Sequence, residues 1–174
     1  MFKKQNNYAY IDSQNLHLGV QNLGWELDYK KFRRYLTEKY KVATTYLFIG
    51  YIPQNQDLYS SLQKYGYILK FKPVLSNKDG SHKGNVDADV VLQIVIDYYE
   101  KSFDKAILVT SDGDFYSTVK FLYDRGKLEK VISPHIKTCS SLLRKTAKEK
   151  IVFINNLQKK LEYKKKKHRF RTEP

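Results

Sequence analysis

The chain has 174 residues with 32 Lys and Arg against 18 Asp and Glu, and its formal net charge of +14 excludes an acidic or balanced surface and points to a polyanionic partner, nucleic acid before acidic membrane. The length suits one domain with a full core. The one cysteine, Cys139, excludes an internal disulfide and a cysteine zinc cluster, the first residues lack the apolar core of a secretion signal, and no run reaches the roughly 20 apolar residues of a membrane span, so a cytoplasmic protein with no membrane partner is expected.

The first apolar run, YAYID (8–12), reads as a buried strand ending on Asp12. A helix follows from Asp28, a side chain suited to N-capping, to Tyr40, with Phe32, Tyr35 and Leu36 at helical spacing. TTYLFIGYI (44–52) is a second strand, and the helix over 56–65 is closed by Gly66. YILKFKPV (67–74) alternates apolar and polar residues, which predicts an edge strand stopped by Pro73. Between Asp87 and Lys101, the residues Ala88, Val91, Leu92, Val95 and Tyr99 fall on one stripe and predict a helix that buries it. KAILVTSD (105–112) is a strand, Phe115 to Asp124 a helix stopped at Gly126, KVISP (130–134) a strand, and Ser140 to Lys150 the last helix. Strands apolar nearly throughout are covered on both faces. Strands alternating with helices predict an α/β fold, a three-layer α/β/α sandwich on a mostly parallel sheet.

The domain is assigned to residues 6–157 and a basic tail to 158–174. Eight basic residues stand in that tail against Glu162 and Glu173; without it 24 basic and 16 acidic residues remain, so the core alone still carries about +8.

In a parallel sheet ligands bind at the carboxyl ends of the strands. Asp12 ends the first strand, Asp112 ends the KAILVTSD strand, Asp114 follows on the turn, and Asp87 opens a helix that the loop LSNKDGSHKGNV can bring to the same edge. Four carboxylates from three distant places would repel one another unless a hard cation such as Mg²⁺ sat among them. Asp87, Asp112 and Asp114 also suit helix capping. Asp89 lies about 200° round the helix from Asp87, so the two are rivals for one site, with Asp87 preferred.

YIDSQNL (10–16), KGNVDADVVLQIVID (83–97) and LVTSDGDFYSTVKFLYDRGK (108–127) resemble, in order and spacing, the three signatures of the NYN domain, a PIN-like ribonuclease group that includes the LabA-like bacterial proteins. VFINNL (152–157) resembles its closing segment, so the likeness spans about 6–157. The resemblance implies a PIN-like sandwich with strand order 3-2-1-4-5 and a metal-dependent endonuclease site using Mg²⁺ or Mn²⁺. Its acidic positions fall on Asp12, Asp87, Asp112 and Asp114 as metal ligands, with Asn15 beside them to position substrate or water. Ser13 and Ser111 stand where the family usually has glycine, and Thr110 where it has serine. All three are small and are assigned with Lys83 to substrate contact.

The expected substrate is RNA, single-stranded in preference to double-stranded, cut to 5′-phosphate and 3′-hydroxyl ends. The tail KKLEYKKKKHRFR mixes Tyr163 and Phe170 with Lys164, Lys165, Lys166, Lys167 and Arg169, as a nucleic-acid arm would, since rings stack on bases and cations track phosphates. His17, His82, His135 and His168 show no metal-ligand spacing. Two other readings stand beside the nuclease: an RNA-binding or regulatory protein that turns over little, and a Mg²⁺-dependent phosphatase, whose D-x-D-x-T/V signature is not found after the first strand. A homodimer is left open.

Overall fold

In a computed structural model that describes residues 5–73, 75–76, 82–83 and 86–164, strands and helices alternate from the start. β1 (Asn7–Asp12), α1 (Ser13–Gln21), α2 (Tyr29–Tyr40), β2 (Val42–Tyr51), α3 (Gln56–Lys64) and β3 (Ile68–Pro73) form the first half. The short antiparallel pair β4 (Leu75–Ser76) and β5 (His82–Lys83) separates it from α4 (Asp87–Tyr99). β6 (Ala106–Val109), α5 (Tyr116–Asp124), β7 (Leu128–Ser133), α6 (Ser141–Ala147), β8 (Ile151–Phe153) and α7 (Gln158–Leu161) complete it.

The order of the large sheet is β3-β2-β1-β6-β7-β8, parallel at every neighbouring pair. Counting its strands along the chain gives 3-2-1-4-5-6: the expected order with one edge strand, β8, added beyond it. Alternation along β1 separates two cores. Ala9 and Ile11 face Leu16 of α1, Phe32 of α2 and Leu62 of α3, while Tyr10 faces Val90 of α4, Val119 of α5 and Leu143 of α6. The strands are covered on both faces, as their apolar runs require.

α4 corrects one expectation. Its buried residues are Val90, Ile94 and Asp97, whereas Leu92 is 58% and Tyr99 71% exposed. The helix is apolar on nearly every side, so spacing alone does not choose its inner face. A buried polar pair chooses it: Tyr10 of β1 donates its hydroxyl proton to Asp97 Oδ2 at 2.7 Å. α1, which apolar spacing does not mark, is a helix of nine residues.

The packed part of the chain continues past residue 157. Leu161 is fully buried in the core beside α2, Asp28 N–H donates to its carbonyl at 2.8 Å, and Glu162 bridges to Leu27. Residues 161–163 thus pack against the domain. Among the described residues, no helix is long and apolar enough to cross a membrane.

Candidate metal centre

The carboxyl ends of β1 and β6 are adjacent because those strands pair in parallel from Tyr8 with Ala106 to Ile11 with Val109. Beyond them the chain turns into α1 on one side and toward α5 on the other. Asp12 makes the first turn: it is the N-cap of α1, and its Oδ1 accepts the Asn15 N–H at 3.1 Å. Asp112 makes the second, its Oδ1 accepting the Asp114 N–H at 3.0 Å at the head of a 3₁₀ turn, Gly113–Phe115. Gly113 between them packs closely on α6: a Cβ there would meet Ser140 Oγ at 2.5 Å, so the serine would have to turn away.

Asn15 ties the two turns together. Its Oδ1 accepts the Ser111 N–H at 2.8 Å across 96 positions of sequence. Thr110 is fully buried, and its Oγ1 accepts the Asp112 N–H at 3.1 Å. Ser111 is nearly as buried, with its hydroxyl on Ser133 Oγ at 2.8 Å. Of these two residues expected at the substrate, Thr110 braces the Asp112 turn and Ser111 borders a cavity. Ser13 is buried at the start of α1.

Asp87 enters from the opposite core. It is the first residue of α4, whose N-cap is Val86, so it is not the capping side chain. One carboxylate oxygen from each of Asp87, Asp112 and Asp114 lies within 4.8 Å of the others. Asp87 and Asp112 are half-buried and Asp114 is exposed, which leaves the group open on one side. Asp89 is not in this group and pairs with Lys72 of β3 at 3.7 Å.

Asp12 is not one of the three but shares their field. Burial, followed by repulsion from Asp87 and Asp112, pushes its carboxyl up to about 6 against the N–H groups of Asn15 and Gln14, which lower it. Among the described residues, neither Asp12, Asp112 nor Asp114 forms an ion pair with a lysine, arginine or histidine. Concentrated carboxylate oxygen is the donor set of a hard divalent ion. The residues fit Mg²⁺ or Mn²⁺.

Two cavities flank the acids. One of about 400 Å³ lies over β6, bordered by Asn15, Asn22, Asp112 and Ser140. The other, about 570 Å³, opens over β2 between α1 and α3. His17, which sequence spacing gave no role, borders the second. His135 is structural: its Nδ1 accepts the Lys137 N–H at 2.9 Å. The backbone of Lys83 lies in β5. Lys164 is exposed, while Lys165, Lys166, Lys167 and Arg169 lie outside the described residues.

A family model for the NYN domain matches residues 8–155. The chain belongs to the NYN domain family. The NYN domain has the PIN-like fold and its family is a nuclease family, as the three motifs imply. A crystal structure of a protein of unknown function from Vibrio parahaemolyticus RIMD 2210633, VPA0982, is similar to it with a TM-score of 0.70 and 24% identity, over 88% of this chain and 96% of that one. That likeness concerns the fold alone. No curated protein matches the chain.

Proposed function

We propose that this NYN domain is a divalent-metal-dependent endoribonuclease that hydrolyses phosphodiester bonds of RNA, single-stranded in preference. The observation that carries the reading is the convergence of Asp87, at the start of α4, with Asp112 and Asp114, on the turn after β6, within 4.8 Å. These three would hold Mg²⁺ or Mn²⁺, and Asp12 adds negative charge behind them. When bound, such an ion supplies Lewis-acid chemistry toward phosphate and water. The chain's own part is positional. Asp112 is fixed by its turn and Asp114 by the N–H it gives to Asp112, while Asp87 is set by the docking of α4 on β1. Asn15 holds the β1 and β6 ends at one spacing and borders the smaller cavity, where it would meet the substrate strand. In-line attack of water would leave 5′-phosphate and 3′-hydroxyl ends.

The test uses labelled single-stranded RNA with Mg²⁺ or Mn²⁺. Cleavage is expected, EDTA should stop it, and Asp112→Asn should slow it by about a hundredfold or more, since a metal ion supplies several kcal/mol. Asparagine caps as well as aspartate, so the turn survives the change. Undiminished cleavage by Asp112→Asn would overturn the proposal. RNA bound tightly but never cut would favour the alternative, an RNA-binding protein with little turnover.

A further inference from the structure

We propose that the larger cavity is a nucleobase pocket, which takes one unpaired base of the RNA whose phosphate lies at the three carboxylates and sends the strand on toward the basic C-terminal segment. The position of that phosphate rests on the nuclease reading; the pocket rests on its own walls.

The cavity lies near the acids, because three residues that border it neighbour them in the chain or the sheet. Ser13 directly follows Asp12, Val86 directly precedes Asp87, and Phe48 of β2 stands opposite Asp12 in the sheet register. A base in the cavity therefore belongs to a nucleotide next to the acids. At about 570 Å³ the space falls in the range of small-molecule sites, roughly 300–1,000 Å³. Its walls include Tyr29, Phe48, Ile52 and Leu58, which suit a flat apolar face. Gln14 and Asn55 add side-chain amides, each with donors and an acceptor for a base edge.

Charge selects the part of the nucleotide that enters. The chain holds 32 lysines and arginines, yet among the described residues none lines this cavity; its titratable lining residues are Glu26 and His17. No lysine or arginine there offsets the cost of desolvating a phosphate, and an uncharged base needs none. The phosphates must run outside, and the structure offers them a direction. The Tyr163 N–H donates to the Glu26 carbonyl at 2.8 Å, and Leu27 bridges to Glu162, so the chain passes the rim of the cavity as it reaches Lys164. Lys165, Lys166 and Lys167 come next in sequence.

The test measures binding in EDTA, where nothing is cut. The probes are a single-stranded RNA of about eight nucleotides, within the usual site size of such proteins, and a strand of equal length whose sugar-phosphate chain carries no bases. The full chain should bind the RNA about tenfold more tightly or better. Leu58→Trp puts an indole into the cavity from a half-exposed helix position, and Ile52→Trp does so from the end of β2, so a folding defect in one leaves the other. Each filled variant should lose most of that preference while binding the base-free strand as before. Equal binding of the two strands by the unaltered protein, or an undiminished preference in a folded filled variant, overturns the pocket. RNA cleavage without a base preference would sink the pocket and leave the nuclease reading; a preference abolished by filling, without any cleavage, would do the reverse.

Discussion

Asp12 meets opposing demands at a single carboxylate. Ionised, it is the better acceptor for the N–H groups of α1, but it is buried and faces Asp87 and Asp112, and its carboxyl is pushed up to about 6. The folded protein thus holds this proton more tightly than the unfolded chain, where the group titrates near 4. Its contribution to stability is full below about pH 4 and is lost as pH rises through about 6, by about 3 kcal/mol. Without metal, the protein is expected to melt at higher temperature at pH 5 than at pH 7. Asp12→Asn keeps a capping oxygen and removes the charge, so in EDTA at pH 7 it should melt above the wild type, with cleavage lost. Mg²⁺ at pH 7 should raise the melting point of the wild type more than that of the variant. Thermal unfolding followed by circular dichroism reads all three, and a variant less stable than the wild type in EDTA at pH 7 would refute the account. The acids themselves were legible, because strand ends and a helix start at one sheet edge are positions where carboxylates need a reason. What sequence could not supply was long-range. Nothing local says that Asn15 holds Ser111, or that Lys72 of β3 pairs with Asp89.

At the scale of elements, the centre depends on how α4 sits on β1. Asp87 opens α4, and ten positions later Asp97 anchors it. Asp97 accepts from the Tyr10 hydroxyl at 2.7 Å and from Gln93 Nε2 at 2.9 Å, all in a region otherwise apolar. Burial and the neighbouring carboxylate keep the Tyr10 phenol protonated by raising its pKa. Tyr10→Phe removes one donor and leaves the buried carboxylate short of a partner, a loss of about 1–3 kcal/mol. The helix should then dock less firmly, so urea unfolding should show the loss and calorimetric titration a weaker affinity for Mn²⁺. Unchanged stability together with unchanged affinity would show that the pair is not the anchor. The same pair explains why the fold was only partly legible. Apolar runs revealed the strands and their double cover. Val90, Val91, Leu92, Ile94, Val95 and Ile96 offer every face of α4 to the core, so the stripe chosen from spacing includes the exposed Leu92 and Tyr99 and misses the buried Val90 and Ile94. β8, with three residues, is too short for any periodicity to show.

The whole molecule carries more positive charge than its acidic centre needs, and the distribution of that charge is testable. A cut at residue 158 would remove Leu161 from the core, so weaker binding would say nothing about the arm. A cut after Lys164 leaves Leu161 and every other described residue in place. It removes five of the 32 basic residues and one of the 18 acids, so the net charge falls from +14 to +10. If the segment tracks phosphates next to the base pocket, affinity for single-stranded RNA should fall at low salt and the salt dependence should flatten. Each phosphate no longer neutralised takes about 0.7 from the slope of log K against log salt, so three or four phosphates should take about 2 to 3. Melting temperature should stay where it was, and so should the cleavage rate at saturating RNA, because the acids and their struts are untouched. Anisotropy titrations at several salt concentrations measure the slope directly. A truncated chain with the full slope would make the segment a solubilising end and move the phosphate path onto the 27 basic residues that remain.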